Sequence, residues 1–223
     1  MRSYSAHSST IEPPAPVDGS GLTRRALRRT LRARRRALSP RDRRAHAAAV
    51  CTQLLSAPLL RGVRDIGAYL AADGELDPLP LLTHLEARGV RPWLPCITPV
   101  PRGPRRLRFG PLQSPDVMRP NQYGIAEPFG ARDRAGWTLG AVLMPLVGFD
   151  RSGARLGMGA GYYDATFDAR RDRPARPLFI GLAHGVQEVR MLDAAPHDVP
   201  LDAIVTEHEV IVPHPEPKGA ERS

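Results

Sequence analysis

The sequence predicts an α/β fold: a single three-layer domain with a parallel or mixed central sheet covered by helices, preceded by an arginine-rich N-terminal helix. Three observations point there. Apolar runs of strand length, DIGAYL (65–70), VRPWLPCI (90–97), AVLMPL (141–146), LFIGLA (178–183) and AIVT (203–206), are interspersed with stretches of helical pattern, the rhythm of a sheet with covering helices. The run AVLMPL has no polar residue on either face, as a strand buried on both sides requires. The chain of 223 residues, 42% hydrophobic, is long enough for one sizeable core and too short for two large ones.

Taken in order, residues 1–20 mix Ser, Pro, Gly and a few charges without apolar periodicity and read as a disordered extension. The domain is expected over 21–210, with 211–223 a polar tail. Thr23 caps a helix through LTRRALRRTLRARRRAL, in which Leu27, Leu31 and Leu38 turn to the core. Arg24, Arg28, Arg32 and Arg36 fall four apart on a neighbouring face. Ser39-Pro40 ends that helix and starts a second, since Ser caps well and Pro fits the first helical position; it should stop near Ala57-Pro58. His46 lies on it as a surface or half-buried residue. The strand at 65–70 is followed by the turn-rich AADGELDP, a helix from Leu79 to Ala87, and the strand at 90–97. Residues 98–120 read as an irregular excursion with one edge strand around Leu107 to Phe109, and NQYGIAEP as a turn bringing Tyr123 near Glu127. The buried run then leads into a glycine loop and a helix from Tyr162 to Arg171. In the closing segment, PHD places Asp198 in a proline-bounded turn. No nucleophile is paired by signature to His184 or His197, so both read as loop histidines.

The formal net charge is +9, but it is local. Arg24 to Arg44 holds eleven arginines and one acid, a net +10, which leaves −1 for the rest of the chain. Lys218, in the tail, is the single lysine, so a Schiff-base or phosphate-gripping lysine in the body is excluded and cationic chemistry falls to arginine. Cys51 and Cys96 form no CxxC pair and indicate a reducing compartment. No apolar run is long enough to span a bilayer and no signal-peptide core is present, so a soluble cytoplasmic protein is expected.

The chemistry concentrates in RLGMGAGYYD, Arg155 to Asp164. Glycines at 157, 159 and 161 let a backbone approach an anion with its N–H groups turned inward, and a carboxylate closes the segment. The predicted helix would set its positive end beside the loop. The pattern is neither a P-loop nor a dinucleotide fingerprint. A tight surface turn is the plain alternative for the glycines, and a solvated or RNA-binding face the plain alternative for the arginine row.

Ordered blocks of sequence go further. NQYGIAEP, VLMPLVGFDRSGARLGMGAGYYD, GLAHGVQEV and PHDVPLDAIVTE, with the amino-terminal RRALRRTLRARRRALSP, YLAADGELD and WLPCI, resemble the 5-formyltetrahydrofolate cyclo-ligase (5,10-methenyltetrahydrofolate synthetase) family over roughly residues 22–208. The resemblance implies a carbon–nitrogen ring-forming ligase that takes ATP as substrate and Mg2+ as cofactor. It would convert 5-formyltetrahydrofolate to 5,10-methenyltetrahydrofolate, with ADP and phosphate released, by phosphorylating the formyl oxygen and closing the ring from the amine at folate position 10. It assigns ATP binding to Arg24, Arg28, Arg155, Leu156, Gly157, Met158, Gly159, Ala160, Gly161, Tyr162 and Tyr163. Arg155 and Tyr162 carry catalytic roles, and Leu70, Glu75, Met158 and Tyr162 border the folate. Asp164 and Asp198 are the implied metal ligands. The partners implied are the folate and Mg-ATP, with no nucleic acid or membrane, in a monomer or weak homo-oligomer. The chain departs from the family pattern in having arginine rather than lysine at Arg24, and in Met158, Ala160 and Ala165, where tyrosine or arginine, lysine, and arginine are common. Two other readings stay open: a non-catalytic polyanion or RNA-binding module of the same fold, and an ATP-independent enzyme acting on a sugar phosphate or CoA ester.

Overall fold

A stretch that is apolar on both faces becomes the middle of the sheet. The computed structural model describes residues 14–97, 106–113, 117–129, 133–167 and 176–213. The chain runs α1 (Arg24–Ala37), α2 (Pro40–Ser56), β1 (Asp65–Gly67), α3 (Leu79–Glu86), β2 (Arg91–Ile97), β3 (Leu107–Pro111), β4 (Arg119–Pro120), β5 (Ala126–Glu127) and β6 (Arg134–Ala135). It continues through β7 (Ala141–Pro145), β8 (Gly148–Phe149), β9 (Arg155–Leu156), α4 (Tyr162–Phe167), β10 (Leu178–Leu182), β11 (Ala203–Val205) and β12 (Val210–Ile211). Eight strands form one sheet in the order β12-β11-β10-β7-β1-β2-β3-β6. The five from β11 to β2 are parallel, and the antiparallel pairs lie at the two ends.

Alternation along the strands sorts the core into two faces. Ala141 and Leu143 of β7, Ile180 and Leu182 of β10, and Ala203 and Val205 of β11 meet Val50, Cys51 and Leu54 of α2 and Leu81, Leu82 and Leu85 of α3. Val142, Met144, Phe179 and Ile204 point the other way, to Phe109, Phe149 and Phe167. The architecture is therefore the expected α/β one, with helices on the faces of a largely parallel sheet.

α1 begins at Thr23, whose hydroxyl accepts from the Ala26 N–H at 3.2 Å, and α2 begins at Ser39 with Pro40 in its first turn. α1 rests on the β8–β9 hairpin: Leu27 and Leu31 pack with Val147, Leu156 and Val189, each fully buried leucine contributing about 2 kcal/mol. The approach is close enough that a Cβ on Gly148 would lie 2.5 Å from Leu31 Cδ1.

Several expectations change. Val17 is buried and bridges Val189 in parallel fashion, so the domain takes in the end of the segment expected to be disordered; residues 1–13 lie outside the described residues. Ile211, expected to open the polar tail, is likewise a paired, buried strand residue, so the tail begins after it. The strand at 65–70 closes after Gly67, beyond which β2 continues the contact only through Ala68 N–H to Trp93 O. β3 is not an edge strand, because β6 pairs its outer side. The β8–β9 hairpin separates the buried run from the glycine loop, which the sequence joined directly. The described part of the helix after the loop is Tyr162–Phe167; the expected continuation to Arg171 lies outside the described residues. Tyr123 turns to Tyr162, while Glu127 accepts from Ile97 N–H and Asn121 Nδ2. Leu38 is only half-buried, and the place on the core face one turn beyond Leu31 goes to Arg35.

Arg35 has no exposed surface. Its Nη1 donates to Leu146 O at the end of β7, its Nε to Asp73 O at 3.1 Å, and its Nη2 to Asp73 Oδ2 at 2.9 Å. Arg32 and Arg36 also donate to the Asp73 carboxylate. Burial pushes that carboxyl upward, but the hydrogen bonds from Arg36 and Arg32 and the charges of Arg32 and Arg35 outweigh it and hold it at about 2, below its ordinary 3.8. The depressed value makes Asp73 stabilising above its unfolded value and progressively less so as pH falls through the folded one. Asp73→Asn, which tolerates the left-handed backbone at φ 53, should lower unfolding free energy near neutral pH by about 2 kcal/mol. Denaturant titrations across acid pH should show that deficit shrinking toward pH 2, and a deficit independent of pH would contradict a charge-based role.

Candidate functional site

The parallel strands β1 and β7 both finish at one end of the sheet, where open sheets collect ligands. There the chain opens a cavity of about 1000 Å³. One wall is α1, through Arg24 and Arg28; another is the 69–75 segment following β1, through Tyr69, Leu70, Asp73 and Glu75. The glycine loop and first turn of α4 supply Arg155, Gly157 to Ala165, and the proline-bounded turn supplies Ala195, His197 and Asp198. The β4–β5 hairpin closes the open side with Asn121, Tyr123, Ile125 and Ala126.

All but one of the residues to which the resemblance assigned a role line this cavity. The exception is Leu156, whose side chain turns under α1 into the cluster with Leu27 and Leu31. Gly159 and Gly161 have φ of 102° and 70°, values that a side-chain-bearing residue adopts only under strain, so the loop shape depends on glycine there. Ala160 sits between them and Met158 is half-exposed.

The charges are paired in a regular way. Arg28 Nε donates to Gly157 O at 2.8 Å, tying α1 to the loop. Both terminal nitrogens of Arg24 donate to Asp198 Oδ2 at 3.0 Å, and Arg155 Nη2 donates to Asp164 Oδ1 at 2.5 Å. Asp164 Oδ1 also accepts from Val199 N–H, and Asp198 Oδ2 from Ala195 N–H. Each expected metal aspartate thus holds one arginine expected to bind phosphate. Arg155 is almost wholly buried, and its Nε has no hydrogen-bond partner among the described residues; nor has the buried Tyr163 hydroxyl, whose ring lies 5.8 Å from the Arg155 guanidinium. Unpartnered buried polar atoms are costly and call for a ligand or water to meet them. Burial raises the Tyr163 hydroxyl's pKa far above neutral, so it remains a donor. Tyr162 Oη accepts from Gln122 Nε2 at 2.9 Å and lies 3.3 Å from Tyr123 Oη, linking α4 to the hairpin.

Glu75 is largely buried. Its Oε2 accepts from Ala72 N–H, its Oε1 is 3.6 Å from Arg35 Nη1, and burial raises its carboxyl pKa. The sequence reading missed three contributors here. Arg35 could have been found, because Leu27, Leu31 and Arg35 recur every fourth residue and put a charge on an apolar stripe. Asp73 and Tyr123 carry no comparable signal. His184, read as a loop histidine, is wholly buried beyond β10, whereas His197 does line the cavity.

Known proteins resemble this chain in sequence and in fold. Over 183 residues, 81% of this chain and 98% of the relative, the sequence is 36% identical to a 5-formyltetrahydrofolate cyclo-ligase of Escherichia coli. It is 33% identical to that of Haemophilus influenzae over 143 residues, 63% of this chain and 74% of that one. The fold superimposes on a 5,10-methenyltetrahydrofolate synthetase from Aquifex aeolicus with a TM-score of 0.71 at 26% identity, covering 89% of this chain and 96% of that one. A Mycoplasma pneumoniae synthetase shares the fold with a TM-score of 0.65 at 23% identity, covering 83% of this chain and 99% of that one. Residues 21–207 match the model of the 5-formyltetrahydrofolate cyclo-ligase family, and the chain belongs to that family.

Proposed function

We propose that this protein is the ATP- and Mg-dependent ligase that converts 5-formyltetrahydrofolate to 5,10-methenyltetrahydrofolate, releasing ADP and phosphate. The observation that carries the reading is that one cavity gathers Arg24, Arg28, Arg155, the glycine loop and both aspartates opposite Leu70 and Glu75. A phosphate-binding half and an apolar, carboxylate-bearing half therefore face one space.

The formyl oxygen of the substrate is amide-like and leaves poorly. Its attack on the terminal phosphorus of ATP forms an O–P bond as ADP departs. The amine at folate position 10 then adds to the activated carbon and gives up its proton, and the C–O bond breaks with loss of phosphate, which carries that proton away. This chemistry asks the protein for positioning and charge neutralisation. Arg28, with its Nε fixed on Gly157 O, presents its two terminal nitrogens for phosphate oxygens. Arg155 Nε and the Tyr163 hydroxyl offer donors that are already desolvated, so they lose little further on meeting an anion. Glu75 accepts from the pterin ring while Leu70 supplies apolar contact. The β4–β5 hairpin, held to Tyr162, limits water at the reacting atoms.

Asp164 and Asp198 fit a magnesium ion. They offer an all-oxygen donor set, and two carboxylates are enough where substrate phosphates and waters complete the shell. The ion would neutralise charge on the phosphates during transfer. Arg155 and Arg24, which hold these carboxylates, are the same cations that would turn to the phosphates, so protein and Mg-ATP exchange partners without leaving a charge unmet.

Two substitutions test the reading by following methenyl product absorbance with purified protein, 5-formyltetrahydrofolate and Mg-ATP. Asp164→Asn should reduce turnover by on the order of a hundredfold, the scale of losing a preorganised charge-stabilising group, with the fold retained; undiminished activity would remove Asp164 from metal binding. Arg28→Ala should raise the KM for ATP roughly ten- to hundredfold, and that for folate much less, as loss of a charged hydrogen bond predicts. The reverse ordering would place α1 against the folate instead. If the unaltered protein showed no turnover and a salt-sensitive RNA complex, the polyanion-binding reading would replace this one.

A further inference from the structure

Behind the Asp73–Glu75 wall, three donors from distant parts of the chain converge. His46 comes from α2, His184 from the residue two beyond β10, and Glu207 from the turn between β11 and β12. Their ligating atoms all lie within 4.8 Å of one another. His46 Nδ1 is 2.9 Å from His184 Nδ1 and 3.5 Å from Glu207 Oε1. We propose that His46, His184 and Glu207 bind one divalent transition-metal ion of the zinc class, clamping α2 to the ends of β10 and β11.

Tautomer, orientation and distance support this. His184 Nε2 lies 3.2 Å from Gly74 O. A carbonyl only accepts, so Nε2 carries the proton and Nδ1 presents its lone pair to the cluster. A histidine whose distal N–H is held by a backbone carbonyl is the usual second contact of a metal-bound imidazole. Glu207 is held in place: both its oxygens accept from the Gly185 N–H, at 2.9 and 3.1 Å, and His208 Nε2 lies 3.2 Å from Oε1. Its side chain is 7% exposed and that of His46 19%, which leaves one open edge for entry and for a water ligand.

Two metal–nitrogen bonds of about 2.0–2.1 Å span 2.9 Å at roughly a right angle, and span about 3.4 Å at the tetrahedral angle. An opening of about half an ångström between the two imidazole nitrogens therefore brings them to a tetrahedral angle about an ion, with the Glu207 carboxylate drawing in as the third donor. Two imidazoles and one carboxylate favour zinc, cobalt, nickel or copper over magnesium, so this site is chemically separate from the aspartates of the cavity. Without an ion, His46 Nδ1–H donates to His184 Nδ1 and the cluster is internally satisfied, which makes the alternative a hydrogen-bonded triad.

The test uses the full chain stripped with chelator and titrated with Co2+, reading visible ligand-field absorption and the thermal midpoint. One equivalent of Co2+ should give the absorption and raise the midpoint, Zn2+ should displace it, and millimolar Mg2+ should not. His46→Ala lies on a partly exposed helical position where alanine suits the backbone. It and Glu207→Gln should each abolish the absorption, with ligase turnover unchanged in His46→Ala. Absence of ligand-field bands in the unaltered chain, or bands that persist in His46→Ala, would overturn the site.

Discussion

A guanidinium sealed from water must find acceptors inside the protein, because an uncompensated buried charge costs several kcal/mol. Arg35 meets that demand with the carbonyl of Leu146, the carbonyl and carboxylate of Asp73, and the nearby Glu75. These acceptors belong to the end of the central strand and to the segment following β1, while the donor belongs to α1. One side chain thereby fixes the distance between the helix that faces the glycine loop and the segment that carries Leu70 and Glu75. Both halves of the cavity hang on the same support, so a shift of α1 would move the expected phosphate contacts and the expected folate contacts together.

The same helix explains why so much positive charge is tolerated in one place. Arg24 is met by Asp198, Arg28 by a loop carbonyl, and Arg32, Arg35 and Arg36 by Asp73. Arg25, Arg29 and Arg34 remain on the exposed side. A surface built to hold RNA would present its row of cations to solvent. Here the row that looked continuous in sequence is divided between two carboxylates 125 positions apart, Asp73 and Asp198, with Arg28 between them on the Gly157 carbonyl. That engagement favours a bounded anionic ligand over a long polyanion, since only a small ligand reaches cations recessed in a cavity.

Much of this was legible in the sequence wherever one residue's chemistry dictated local form. Thr23 and Ser39 cap helices because their hydroxyls accept from free N–H groups, and Ala141 to Met144 is buried because nothing in it needs water. The parts that stayed hidden depend on partners far along the chain. The β8–β9 hairpin has strands of two residues, too short for any period to register. Its turn is organised by Asp150, whose Oδ1 accepts from the N–H groups of Ser152 and Ala154 while Oδ2 reaches Leu192 N–H. Val17 looked like linker because a single valine among polar residues shows no pattern; only Val189 gives it a place. The cavity shows the same division: its glycines announced themselves by spacing, whereas the pairing of Arg24 with Asp198, 174 positions apart, had no local sign.

The departures at Met158, Ala160 and Ala165 can now be weighed by position. Backbone shape in the loop rests on Gly159 and Gly161, whose positive φ values exclude ordinary side chains, and Ala160 between them carries no such demand. Ala165 is helical, its N–H donating to Gly161 O at 2.9 Å, and Met158 projects half into solvent. None of the three sits where the backbone requires glycine, so what the proposed phosphate site would lose, relative to the pattern the resemblance implies, is charge. Arg155, Arg28 and Arg24 remain on the wall of that cavity, and arginine engages phosphate through a fork of donors where lysine offers a point. In the proposed reaction more of the neutralisation would then fall on these three arginines and on the buried Tyr163 hydroxyl, since a desolvated donor meets an anion more strongly than an exposed one.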